Sequence, residues 1–157
     1  MPWEKSAWET GEYRNVFLDA GYSQIEIDKK LAKAYYDVFE GPNKVYFQVG
    51  DSMAYVSDIK NHDCRTEGLS YGLMVAVQLD KKDVFDRLWR WTRAYMQHQG
   101  GSRDGYFAWS VNPETGEHFS KGSASDGELN LLLLYFLHPT AGEMKLVLII
   151  MLKHVVS

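Results

Sequence analysis

The stretch Arg65-Thr66-Glu67-Gly68-Leu69-Ser70-Tyr71-Gly72 runs directly into Leu73-Met74-Val75-Ala76-Val77. A charged, glycine-punctuated segment thus opens an apolar helical run. Glu67 falls at or just before a helix N-terminus, where carboxylates are common as caps and complement the helix dipole. Two readings fit this local pattern. One is a capping Glu on an ordinary core helix. The other is a catalytic carboxylic acid on a rigid helix end, facing a cleft.

Upstream, Tyr13 to Ala20 reads as a short helix stopped by Gly21. Ser23 and Glu26 have the spacing of a capping box. The helix they open carries Ile27, Leu31, Ala34 and Val38 on one face and ends at Gly41-Pro42. Lys44 to Val49 is a strand candidate, and Met53 to Asp58 is either its partner or irregular. Downstream, Asp80 to Asp83 predicts a turn and a new N-cap. Phe85, Leu88, Trp91 or Thr92, and Tyr95 then mark a helical face. Tyr106 to Ser110 followed by the turn signal Pro113 to Gly116 predicts a hairpin or long loop. Ser123-Ala124-Ser125-Asp126-Gly127-Glu128 is a second acidic, glycine-containing segment that opens a helix. From Leu129 the amphipathic pattern is lost: Leu131 to Leu134 are four leucines in a row, and Leu146 to Leu152 is almost unbroken aliphatic.

The bulk numbers narrow the classes. The chain has 157 residues, 45% hydrophobic and 24% charged, as expected of a globular protein. A net charge of -4 without a basic block argues against nucleic acid as a partner. The single cysteine, Cys64, excludes an intrachain disulfide and a cysteine-built zinc site, and no metal or cofactor is expected. Met1-Pro2-Trp3-Glu4-Lys5 has no secretory pattern, so a cytoplasmic protein is expected. No apolar run reaches the roughly 18 residues of a membrane span. Five Trp and ten Tyr, many in polar stretches, suit sugar stacking as well as core packing.

Two acidic helix starts, at Glu67 and Asp126, make a candidate carboxylate site. Glycoside hydrolysis needs a proton donor for the leaving oxygen and a carboxylate that activates water or stabilises the cationic sugar. A plain first-turn acid after Ser125 is the competing reading of Asp126.

At this point a resemblance becomes visible. Arg65 to Gly72, with Asp83-Val84-Phe85-Asp86-Arg87-Leu88-Trp89 and Gly105-Tyr106-Phe107-Ala108-Trp109-Ser110, resembles glycoside hydrolase family eight. Ala124-Ser125-Asp126-Gly127-Glu128 is similar to that family's second acidic motif. Within the family, the nearest branch is the reducing-end xylose-releasing exo-oligoxylanases, and the likeness runs from about Tyr13 to Glu128. It implies an all-α chain forming the N-terminal portion of an (α/α)6 barrel, with long loops and short β-hairpins. It also implies inverting hydrolysis of β-1,4-xylo-oligosaccharides. Glu67 would be a general acid kept protonated by a buried setting. Asp126 would position the sugar and stabilise its transition-state shape. Tyr71 and Trp109 would line the sugar subsites, with Trp109 as simple core the alternative. Arg65 would orient Glu67 or bind sugar, while His62 and Asp63 receive no role.

The family's general base lies on a later helix, in a motif these residues do not contain. Residues 1–128 are therefore expected to be a partial catalytic domain and 129–157 an aberrant apolar tail. A frame shift accounts for that tail. Permitted codons for Phe136 to Lys145, read from their third base, spell Phe-Ala-Ser-His-Arg-Trp-Gly-Asp-Glu, similar to how the related enzymes continue; only the last residue is forced. Three readings follow: a glycosidase by ancestry that lacks turnover in this form, a truncated sugar-binding remnant, or a non-functional fragment.

Overall fold

The computed structural model describes residues 14–137, which divide into two compact units, one ending at Asn43 and the other beginning at Lys44.

The first unit contains α1 (Val16–Asp19) and α2 (Gln24–Phe39). Asn15 caps α1, its side-chain oxygen accepting from the Phe17 and Leu18 N–H groups at 3.1 and 3.4 Å. The expected start at Tyr13 lies outside the described residues. The capping box forms as the sequence predicts. Ser23 Oγ accepts from Glu26 N–H at 3.3 Å, and Glu26 Oε2 accepts from Ser23 N–H at 2.9 Å. These bonds hold the Glu26 carboxyl below its ordinary range. The predicted apolar face of α2 is open rather than covered: Leu31 is 50% and Val38 42% exposed. Phe17, Tyr22, Ile27, Leu31 and Ala34 line a cleft of about 640 Å³ within this unit.

The second unit begins with an antiparallel hairpin, β1 (Tyr46–Val49) and β2 (Met53–Val56), in register Tyr46 to Val56. Met53 to Val56 is thus the partner strand, and Gly50 takes the positive φ of the turn. A second sheet has the order β3 (Cys64–Arg65), β4 (Ser110–Val111), β5 (His118–Ser120), all antiparallel. Of three helices, α3 (Thr66–Gln78) and α4 (Lys82–Tyr95) pack beside these strands, and α5 (Ser125–Leu137) packs on α3. Leu69 and Leu73 of α3, Leu88 and Trp91 of α4, and Leu131 and Leu134 of α5 are all essentially buried. Gly72 permits close packing here, because a Cβ would sit 2.9 Å from Val56 Cγ2 and 3.2 Å from Leu88 Cδ1.

Three local details add to the sequence reading. The predicted turn and N-cap form, with Lys81 as the N-cap of α4, and Asp86 pairs with Lys82 at 2.6 Å. The stretch Tyr106 to Trp109 is not a strand but approaches Gln97 through an isolated bridge at Phe107, so the hairpin starts only at Ser110. Helix α5 runs across residue 128 as far as Leu137 and buries Leu131 and Leu134. The aliphatic run from Leu146 lies outside the described residues.

Candidate active site

Glu67 is the second residue of α3. Arg65 is the N-cap, extended and without a capping side-chain bond, so Glu67 is not a cap. Its Oε2 accepts from the Thr66 hydroxyl at 3.2 Å, and its carbonyl accepts from Ser70 Oγ at 2.9 Å. The carboxylate is half-buried. The enclosed setting expected of a general acid is therefore only partly built by these residues. Tyr71, four residues on and hence on the same helix face, is 58% exposed.

Asp126 lies exposed in the first turn of α5. The next residue, Gly127, brings this helix start against that of α3. A Cβ at Gly127 would fall 2.3 Å from Thr66 Oγ1 and 2.5 Å from Thr66 Cβ, so only glycine allows the approach. Glu67 and Asp126 each adjoin one side of this contact.

Trp109 is strung between the same two segments. Its N–H donates to Gly122 O at 3.0 Å, ahead of α5, and its carbonyl accepts from Thr66 N–H at 3.1 Å, at the start of α3. The ring is half-buried, with the Arg65 guanidinium 5.4 Å from its centroid. This is within the range of a cation–π contact.

Arg65 is held from its other side. Its Nε donates to both oxygens of Asp63 at 3.1 and 3.0 Å, and Nη1 lies 3.5 Å from Asp58 Oδ2. The Asp63 hydrogen bond raises the guanidinium further above its ordinary range, while the Glu67 charge contributes least. Arg65 is thus engaged by Asp63, Asp58 and Trp109 more than by Glu67. Asp58 is itself held below the ordinary carboxylate range by Asn61 side-chain and backbone hydrogen bonds.

Two residues escaped the sequence reading. Asp63 is only 5% exposed and also accepts from Ser110 Oγ at 2.6 Å. Glu128 accepts from the Phe107 N–H at 2.7 Å through Oε1, while its buried Oε2 has no hydrogen-bond partner among the described residues. Burial pushes the Glu128 carboxyl up to about 7, against the lowering effect of the Phe107 bond. In sequence, Asp63 and Glu128 look like ordinary polar residues beside a strand and a helix start. Nothing local marks their burial.

Cys64 is no nucleophile in this setting. It is buried, and burial with the nearby Asp63 charge pushes its thiol up to about 12. Among the described residues no group of three or more His, Cys, Asp or Glu side chains is placed to hold a metal. No described helix is long and apolar enough to cross a membrane.

The sequence profile of Glycosyl hydrolases family 8 matches residues 50–136, more than half of the chain. The chain belongs to glycosyl hydrolase family 8. Among family 8 relatives, the reducing end xylose-releasing exo-oligoxylanase of Halalkalibacterium halodurans is 46% identical over 134 residues, covering 84% of this chain and 34% of that protein. The reducing-end xylose-releasing exo-oligoxylanase Rex8A of Paenibacillus barcinonensis is 46% identical over 126 residues, 79% of this chain and 33% of its own. A solved structure of a double mutant of Rex8A from that organism superposes with a TM-score of 0.81 at 44% identity, covering 85% of this chain and 36% of that one. A mutant of a reducing-end-xylose releasing exo-oligoxylanase complexed with xylobiose matches at a TM-score of 0.80 and 44% identity, over 85% and 36% of the two chains. The present chain thus spans about a third of the length of its curated family 8 relatives.

Proposed function

We propose that these residues form the acid and sugar-positioning part of an inverting glycosidase for β-1,4-xylo-oligosaccharides, within an (α/α)6 barrel. The supporting observation is the contact of the two acidic helix starts at Thr66 and Gly127, with Trp109 hydrogen-bonded to both segments. Glu67, in the first turn of α3, is the general acid that protonates the leaving glycosidic oxygen. Asp126, one residue from the contact, accepts hydroxyls of the sugar at the cleavage point and favours its distorted shape. Trp109 and Tyr71 offer aromatic faces to the C–H faces of neighbouring xylose rings. Arg65 acts at one remove, on the Trp109 ring. The relatives' names as reducing-end xylose-releasing exo-oligoxylanases support this substrate class.

Inversion also needs a second carboxylate about 6.5–9.5 Å from the acid, with water between them. In this reading it comes from residues outside these 157. The chain alone then binds short xylo-oligosaccharides without releasing xylose. Release of xylose from xylotriose by the 157-residue chain would sink that part of the proposal. In a chain extended to the length of its relatives, Glu67→Gln should keep sugar binding and lose about 10²–10⁴-fold in turnover, the usual worth of general acid catalysis. A variant within roughly threefold of its parent would remove Glu67 from the acid role.

A further inference from the structure

We propose that Asp63 is a positioning residue for the sugar-stacking Trp109, acting through Arg65; this rests on the reading of Trp109 as a sugar subsite. Asp63 precedes β3, and its buried carboxylate takes the Arg65 Nε at 3.1 and 3.0 Å and the Ser110 hydroxyl at 2.6 Å. Arg65 and Ser110 are directly paired across β3 and β4, and Trp109 immediately precedes Ser110. One carboxylate therefore ties together the two strand ends next to Trp109.

A guanidinium is planar and rigid, so fixing its Nε also fixes the plane presented to its neighbour. The guanidinium carbon lies over the Trp109 ring, 5.4 Å from its centroid. With one indole face taken by the guanidinium, the other serves the flat C–H face of a xylose ring. The Trp109 backbone is already held by Gly122 and Thr66, so the clamp acts on the remaining freedom, the side-chain torsions. Lysine in place of Arg65 would keep the positive charge for Asp63 and Asp58. It could neither fork nor stack.

The test uses the full 157-residue chain labelled with 5-fluorotryptophan. The fluorine line of Trp109 is assigned by its loss in Trp109→Phe, and xylotriose is the titrant. In Asp63→Asn and in Arg65→Lys the Trp109 line should shift and become more accessible to iodide. The line of fully buried Trp91 should stay in place. Xylotriose affinity should fall about three- to thirtyfold, the range of a partly desolvated cation–π contact. A residue that merely ties β3 to β4 predicts otherwise: a lower melting midpoint in Asp63→Asn, and an unmoved Trp109 line in Arg65→Lys. That result overturns the proposal. If Asp63→Asn fails to fold, Arg65→Lys decides alone. A parent chain that shows no xylotriose binding removes the sugar reading, while the Trp109 line still confirms or overturns the clamp.

Discussion

Glu128 shows what burial does to a single side chain. Its carboxyl sits at about 7 in the folded chain against an ordinary 4.5. Between those values the folded state binds more protons than the unfolded state, so stability falls as pH rises through that window. Below it the neutral acid carries no charge penalty; above it the full penalty applies. Allowing for partial solvent screening, the loss is on the order of 1–3 kcal/mol. Glu128→Gln keeps a carbonyl oxygen for the Phe107 N–H and cannot ionise. It should melt close to the parent at pH 5 and above it at pH 8. Parallel melting curves for the two chains across that range would rule out Glu128 as the source. Glu26 and Asp58 work in the opposite sense. Their lowered values add stability that is lost only as pH falls through the acid range.

Between elements, the decisive feature is the approach of α3 and α5. An exposed helical glycine normally gains stability when replaced by alanine, by up to about 1 kcal/mol. At Gly127 the sign should reverse. The new Cβ would lie 2.5 Å from Thr66 Cβ, a branched carbon next to a helix backbone that cannot simply rotate away. The helix starts must separate, and overpacking of this kind costs about 1–3 kcal/mol. A urea melt of Gly127→Ala is the check, and a variant as stable as its parent would show that the contact is looser than described. Because Glu67 and Asp126 adjoin this contact, the same variant should also weaken xylotriose binding.

For the whole molecule, the apolar surface is the telling property. Phe17, Ile25 and Leu31 are each at least half exposed, and so are Leu129 and Leu133. The chain spans about a third of the length of its curated family 8 relatives, and we propose that these faces are covered in the full-length barrel. Exposed apolar patches beyond a few hundred Å² favour association. The chain should bind a hydrophobic dye strongly and self-associate as concentration rises; a sharp, concentration-independent melt without dye binding counts against a part-barrel. The residues after about Glu128 carry a separate proposal, that they are a shifted reading of the family gene. Resequencing the locus settles it. If no reading frame downstream of the Asp126 codon resembles family 8, the proposal is lost.

What the sequence determined by itself was local. The Ser23–Glu26 capping box spans three residues and formed as read, because both its hydrogen bonds close within one helical turn. The same holds for the starts of α3 and α5, and the dense motifs from Arg65 to Glu128 were enough to place the family. The tertiary structure alone decided how these pieces meet. Asp63 finds Ser110 across 47 residues, and Glu128 finds the Phe107 N–H across 21. Arg65 is engaged by Asp63 and by the distant Trp109, where the sequence left open whether it orients Glu67 or binds sugar. Burial of a carboxylate, the ring beneath a guanidinium and the gap that demands glycine at position 127 all depend on which distant segment occupies the other side. Hydrogen-bond reach and packing are properties of space, and the spacing of residues along a chain carries them only when both partners share one turn.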